Sequence, residues 1–115
     1  HPNGVLDSAA RDGLVVVPMA GDTVYALDED GMRMDVATLP TGSLDGVVET
    51  TDGRLLVSSW EGGAVYVIDP MGGVDQVADG LPAPADIGYD AGRGVIMVPL
   101  FNDGAVVFVP VPPRD

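Results

Sequence analysis

The chain has 115 residues, about one domain, and is 46% hydrophobic and 20% charged with 16 glycines and 10 prolines, which excludes a disordered chain and describes a turn-rich globular one. Acidic residues outnumber basic ones 18 to 5 for a formal charge of −13, a surface that repels phosphate backbones and anionic headgroups and so argues against nucleic-acid and membrane-surface partners. No cysteine is present, which removes disulfides, thiolate zinc sites and cysteine nucleophiles.

The chain begins HPNGVLD, without the basic start and apolar run of a signal peptide, and no apolar run reaches the roughly 18 residues that a membrane-spanning helix needs. PNGVLD, a polar-then-apolar segment around Asn3, reads as a first short strand. The β-branched run Leu14 to Val17 follows, suited to a strand buried on both faces. A Gly-containing turn at 20 to 22 leads into TVYALD, a third strand, and EDGMRMDVATLP supplies a further turn and a fourth.

The pattern then starts again. LDGVVE around Asp45, the apolar run Leu55 to Val57, the turn at 61 to 63, AVYVID and PMGGVDQVADGLP repeat the same succession. A third round runs through ADIGYD around Asp86, Val95 to Val98, the turn at 102 to 104 and AVVFVP, and then stops at PPRD. The offsets agree: Gly13 to Gly53 is 40 residues, Gly53 to Gly94 is 41, and Val24 to Val65 and Val65 to Val106 are 41 each.

A repeat of about 40 residues is that of a propeller blade, a four-stranded antiparallel unit. No window sustains the apolar i, i+3, i+4, i+7 pattern of an amphipathic helix. The fold expected is therefore all-β, three blades of a β-propeller, with blades at 1–40 and 41–82 and an incomplete one at 83–115. The simplest account of the missing outer strand is that the chain is the C-terminal half of a longer propeller. Three blades with open edges should pair either with the rest of their own propeller or with a second copy.

The segments PNGV, LDGVVETTDGRLLVSSWEGGAVYVIDP and PADIGYDAGRGVIMVPLFNDGAVVFV resemble the last three blades of the senescence marker protein (regucalcin), gluconolactonase and luciferin-regenerating enzyme family, bacterial type. The resemblance covers nearly the whole chain. Looser forms of the same motifs occur in NHL-type and strictosidine-synthase-like propellers. The likeness implies a six-bladed propeller and a metal-dependent hydrolase of sugar lactones or related esters, with one divalent cation at the channel mouth. That cation is calcium by preference, with zinc, manganese or magnesium as alternatives. The Asn of the PNG motif carries over to Asn3 and the Asp of the DG motif to Asp45, both as metal ligands. The family's glutamate ligand has no counterpart in these residues. The likeness also implies a periplasmic or secreted location, and a fragment that is inactive by itself.

Identical positions on successive blades point toward one axis, which is how a hard cation collects oxygen ligands from several directions. Such an ion polarises a substrate carbonyl and lowers the pKa of bound water, and Asp45 is also a candidate general base. The competing reading treats Asn3-Gly4 and Asp45-Gly46 as turn dipeptides that do no more than start a strand. Asp86 occupies the third equivalent position, followed by Ile87 in place of Gly, and reads as channel-lining. Trp60 stands either over a substrate pocket or between blades, where Ala20 and Phe101 take the matching places. Asp7, Glu49 and Asp90, one period apart, read as solvated turn residues. The single His, at position 1, supports no Ser-His-Asp arrangement, and no phosphate-binding fingerprint opens a helix. The rival to an enzyme is a non-catalytic propeller that binds a ligand or protein partner on its acidic channel face.

Overall fold

A computed structural model describes residues 1–113, which contain eleven strands and no helix. β1 (Pro2–Ser8), β2 (Gly13–Pro18), β3 (Thr23–Leu27) and β4 (Arg33–Thr38) form one antiparallel meander. β5 (Leu44–Glu49), β6 (Leu55–Ser59), β7 (Ala64–Ile68) and β8 (Val74–Ala78) form a second. β9 (Gly88–Asp90), β10 (Val95–Leu100) and β11 (Ala105–Pro110) form a third sheet of three strands. The repeat extends to irregularities: the register shifts between Val24 and Tyr25 in one sheet and between Val65 and Tyr66, 41 residues on, in the next.

The sheets stack face to face, and the middle one sets the packing. Leu55, Val57, Tyr66 and Ile68 meet Val15, Val17 and Val24 of the first sheet. Leu56 and Val65, on the opposite face of the same strands, meet Ile87, Ile96 and Val98 of the third. Strand β6 is consequently buried along its whole length, whereas β10 alternates between buried and half-buried residues because only one of its faces has a neighbour. The expectation of doubly buried second strands therefore holds in full for the middle blade. Each Leu or Val sequestered in these seams contributes roughly 1.5 to 3 kcal/mol of transfer free energy, so the sheets cohere through side-chain contact and not through shared backbone ladders.

The link between β5 and β6 is the turn that Asp52-Gly53 predicted, with Gly53 at φ +85°. Asp12, at the matching place in the first blade, itself takes a left-handed φ of 51°. Thr50 donates its hydroxyl to Asp52 Oδ1, and Arg54 Nε donates to the same oxygen at 3.0 Å. The Thr50 hydrogen bond first, and Arg54 second, hold the Asp52 carboxyl below the usual aspartate range. A depressed folded-state pKa means stabilisation present above the unfolded value of about 3.9 and lost as pH falls through the folded one. Replacing Asp52 with Asn should therefore lower stability by a constant amount between pH 5 and 7, and the difference from wild type should begin to shrink near pH 4 and disappear only as pH falls through the lower folded-state value. Urea unfolding across this pH range checks this, and a pH-independent difference would refute it.

Glu49 corrects one expectation. It is not a solvated turn residue: it ends β5 with its side chain 11% exposed and binds the first blade. It accepts from the Ser8 hydroxyl and from the backbone N–H of Ala9 at 3.0 Å, and lies 3.5 Å from the Arg11 guanidinium, which also donates to the Gly53 carbonyl. Asp90, by contrast, serves its own turn, accepting from the backbone N–H of Arg93, and Asp7 is exposed.

The third inner strand begins later than its register suggests. Asp86 precedes β9, whose first residue is Gly88. Pro82 and Pro84 carry no N–H for a ladder, and Pro84 makes an isolated bridge to Leu100 before the strand can start.

Candidate functional site

In each meander the first strand runs antiparallel to the second, so the start of an inner strand lies beside the turn that follows the second strand. Pro2 faces Pro18, and Leu44 faces Ser59. Asn3, Asp45 and the turns at 19–22 and 60–63 are thereby gathered at one end of the stack. There a cavity of about 250 Å³ is lined by Asn3, Met19, Ser43, Leu44, Asp45 and Trp60. Three residues singled out in the sequence thus share one cavity, although they come from two blades.

The glycines after Asn3 and Asp45 are explained by close approach and not by turn geometry. Neither Gly4 nor Gly46 has a positive φ. A Cβ at Gly4 would run into the carbonyl oxygen of Asp45, and one at Gly46 would lie 2.5 Å from the backbone nitrogen of Ile87. Neighbouring inner strands come together at these points more closely than any side chain permits, as expected where blades converge on an axis. Asp86 is brought to the same place, exposed, with its Oδ1 close against Gly46, but it does not line the cavity.

Asp45 is half-buried, and its Oδ2 accepts a hydrogen bond from Trp60 Nε1 at 3.0 Å. The indole ring in turn meets Phe101 of the third blade, with centroids 5.1 Å apart and planes tilted by 52°. Trp60 therefore both lines the cavity and makes a contact between blades. Asn3 uses its side-chain nitrogen to donate to the Leu44 carbonyl at 3.0 Å, which fastens the first blade to the second and leaves its amide oxygen toward other partners.

Residues that the sequence reading passed over fix this geometry. The buried Ser58 hydroxyl accepts from the Gly46 N–H at 2.9 Å and donates to the Ala85 carbonyl at 2.7 Å, pinning the start of β5 to the approach of the third blade. Ser59 donates to the Gly42 carbonyl at 2.6 Å and shares a hydroxyl cluster with Thr41 and Tyr66. The Glu61 carboxylate accepts from the Gly42 N–H at 2.7 Å. Asp45, the second residue of β5, is thus held with satisfied polar groups on both sides, the kind of support that fixes a functional side chain in place. The pair Ser58-Ser59, polar residues inside an apolar strand, was the available signal.

A cation site is a stricter matter. A hard divalent ion takes six or more oxygen ligands. Among the described residues no group of three or more His, Cys, Asp or Glu is arranged to hold an ion. Asn3 and Asp45 supply two side chains, a part of such a ligand set.

No protein-family model matches the sequence, and no curated protein matches it. Solved structures do. Virginiamycin B lyase from Staphylococcus aureus superposes with a TM-score of 0.74 at 17% identity over 98% of this chain and 42% of that one. A catalytically inactive histidine-to-alanine variant of that lyase with quinupristin gives 0.66 at 16% identity, over 98% of this chain and 42% of that one. A streptogramin B lyase gives 0.66 at 16% identity, over 94% and 40%. The chain spans about two-fifths of the length of these proteins. With the stacked meanders, the likeness establishes the fold: residues 1–113 are consecutive blades of a β-propeller.

Proposed function

We propose that these blades belong to an enzyme that opens a cyclic ester at the mouth of the propeller, with Asp45 as the proton acceptor. The observation that carries this reading is the Asp45 carboxylate, which is held through Oδ2 by Trp60 and lines a cavity shared by two blades. In the hydrolytic form, Asp45 takes a proton from water as the water oxygen bonds to the ester carbonyl carbon. The ring C–O bond then breaks and the proton passes to the departing alkoxide. This is the lactone-hydrolase activity implied by the likeness to the regucalcin and gluconolactonase group.

A second form is favoured by the names of the structural neighbours, which are lyases. Here Asp45 takes a proton from the carbon adjacent to the C–O bond, that bond breaks, a carbon–carbon double bond forms and the carboxylate leaves. The carboxylate and its tryptophan support are common to both.

The complete gene product, incubated with a panel of sugar, aryl and macrocyclic lactones in ¹⁸O-labelled water, separates the readings by product mass. One labelled oxygen in the product acid supports hydrolysis, and an unsaturated, unlabelled product supports elimination. No product with any lactone, alongside a ligand that raises the melting temperature, would leave a binding module in place of an enzyme.

A divalent cation, calcium first, remains a separate proposal drawn from the sequence resemblance. Asn3 and Asp45 would hold it from two blades, with the remaining oxygens coming from elsewhere. Adding calcium to chelator-treated protein should then raise the melting temperature by several degrees, and an unchanged melting curve would remove the ion from the proposal.

A further inference from the structure

The walls of the mouth are of mixed character, and the mixture is informative. Met19, Trp60 and Phe101 sit on corresponding turns of successive blades, and they are 56%, 38% and 68% exposed. Large apolar side chains left open on neighbouring turns at one end of a stack form a contiguous apolar surface, the kind that marks a ligand site. Trp60 and Phe101 meet at 52°, so the two rings make a corner and not a flat face. Met19 and Leu44 line the cavity beside Trp60.

The polar part of this surface has one sign. Asp45 lines the cavity, Asp86 lies against Gly46, and Glu61 is on the turn that carries Trp60. None of the lining residues is basic, and the chain as a whole carries a formal charge of −13. A carboxylate in a partly apolar cavity is a favourable place for a cation, which gains a charge-assisted hydrogen bond there. An anionic ligand meets no compensating group here. A sugar, which needs many hydrogen-bond partners, finds Asn3, Ser43 and Asp45 but must also cover the apolar Met19, Leu44 and Trp60.

We propose that the mouth cavity binds a ligand made of an apolar ring and a protonated amine, with the ring between Met19 and Trp60 and the ammonium on Asp45. The ligand class follows from the charge complementarity and from the apolar walls. It names the substrate class for the site described under Proposed function and rests on that placement of the site, though not on the reaction occurring there. A cavity of about 250 Å³ takes one ring with a short side chain. A larger substrate would present that part of itself to the cavity and lie across Phe101 with the rest.

Calorimetric titration of the complete gene product with phenethylamine, phenylacetate and glucono-lactone tests the proposal, the first two sharing a ring and differing in charge. The ammonium compound should bind at least tenfold more tightly than the other two, and more weakly as salt rises. Asp45→Asn and Trp60→Ala should each weaken it tenfold or more, and Phe101→Ala about threefold. Trp60→Phe keeps a ring in place and should fall between wild type and Trp60→Ala. Melting curves confirm that each variant is folded. Equal or tighter binding of phenylacetate, preference for the sugar lactone, or unchanged affinity in both Asp45→Asn and Trp60→Phe would overturn it. Because binding is read without turnover, ammonium binding with inert lactones would sink the reaction and spare this site. Lactone turnover without ammonium binding would do the reverse.

Discussion

Replacing Asp45 with Asn should lower turnover of the complete gene product by roughly 10²- to 10⁴-fold, the range that a positioned general base contributes. The substitution keeps shape and retains an oxygen that accepts from Trp60 Nε1, so the 3.0 Å contact and the cavity wall survive. What disappears is the capacity to take a proton. Asp45 is half-buried and in no ion pair among the described residues, so the melting temperature should move by no more than a degree or two. Loss of kcat without loss of stability is the expected signature. A variant with full activity would remove Asp45 from the chemistry, and one that fails to fold would mark it as structural.

The largest effect on stability should come from Glu49→Ala. Removal of the carboxylate strands the Arg11 guanidinium at 14% exposure and leaves the Ser8 hydroxyl and the Ala9 N–H without their acceptor. Arg11 Nη2 already has no hydrogen-bond partner, so the guanidinium keeps only the Nη1 contact to the Gly53 carbonyl. Stranding one partner of a buried pair costs about 3 to 5 kcal/mol, which corresponds to a drop of about 10 °C or more in melting temperature. Glu49→Gln should lose less, because it still offers one acceptor to Ser8 or Ala9. Replacing both Arg11 and Glu49 with Met should recover most of the loss, since no buried charge then remains. A Glu49→Ala variant within half a kcal/mol of wild type would show that the pair is effectively solvated.

Both predictions concern residues whose importance the sequence expressed unequally. Asp45 stood out because it recurs in register with Asn3 and because its motif resembles a known ligand position. Glu49 stands in register with Asp7 and Asp90, and the series by itself marks all three as solvated turn residues. The three differ in surroundings: Glu49 alone reaches across a blade seam to a hydroxyl, backbone donors and a guanidinium. Repetition marks equivalent backbone positions, but a side chain's partners depend on what the neighbouring blade offers there.

Trp60 teaches the same lesson in reverse. Its two readings, pocket wall and blade contact, were opposed in the sequence, yet one indole does both because its N–H edge and its ring face different neighbours. The competing reading makes Gly4 and Gly46 turn formers. Their actual constraint is the proximity of an adjacent inner strand, which no single-strand pattern contains.

The sequence by itself determined the blades: strand, turn and period are local properties, expressed in alternating burial, left-handed turn positions and a repeat of 40 or 41 residues. It also marked Asn3, Asp45 and Trp60. Only the tertiary structure decided how these meet. Asn3 bonds to a carbonyl 41 residues away, Ser8 to a carboxylate 41 away, and Trp60 to Asp45 across 15. Contacts between blades are set by the packing of apolar faces at the seams, whereas the spacing along the chain records the strands and turns within each blade.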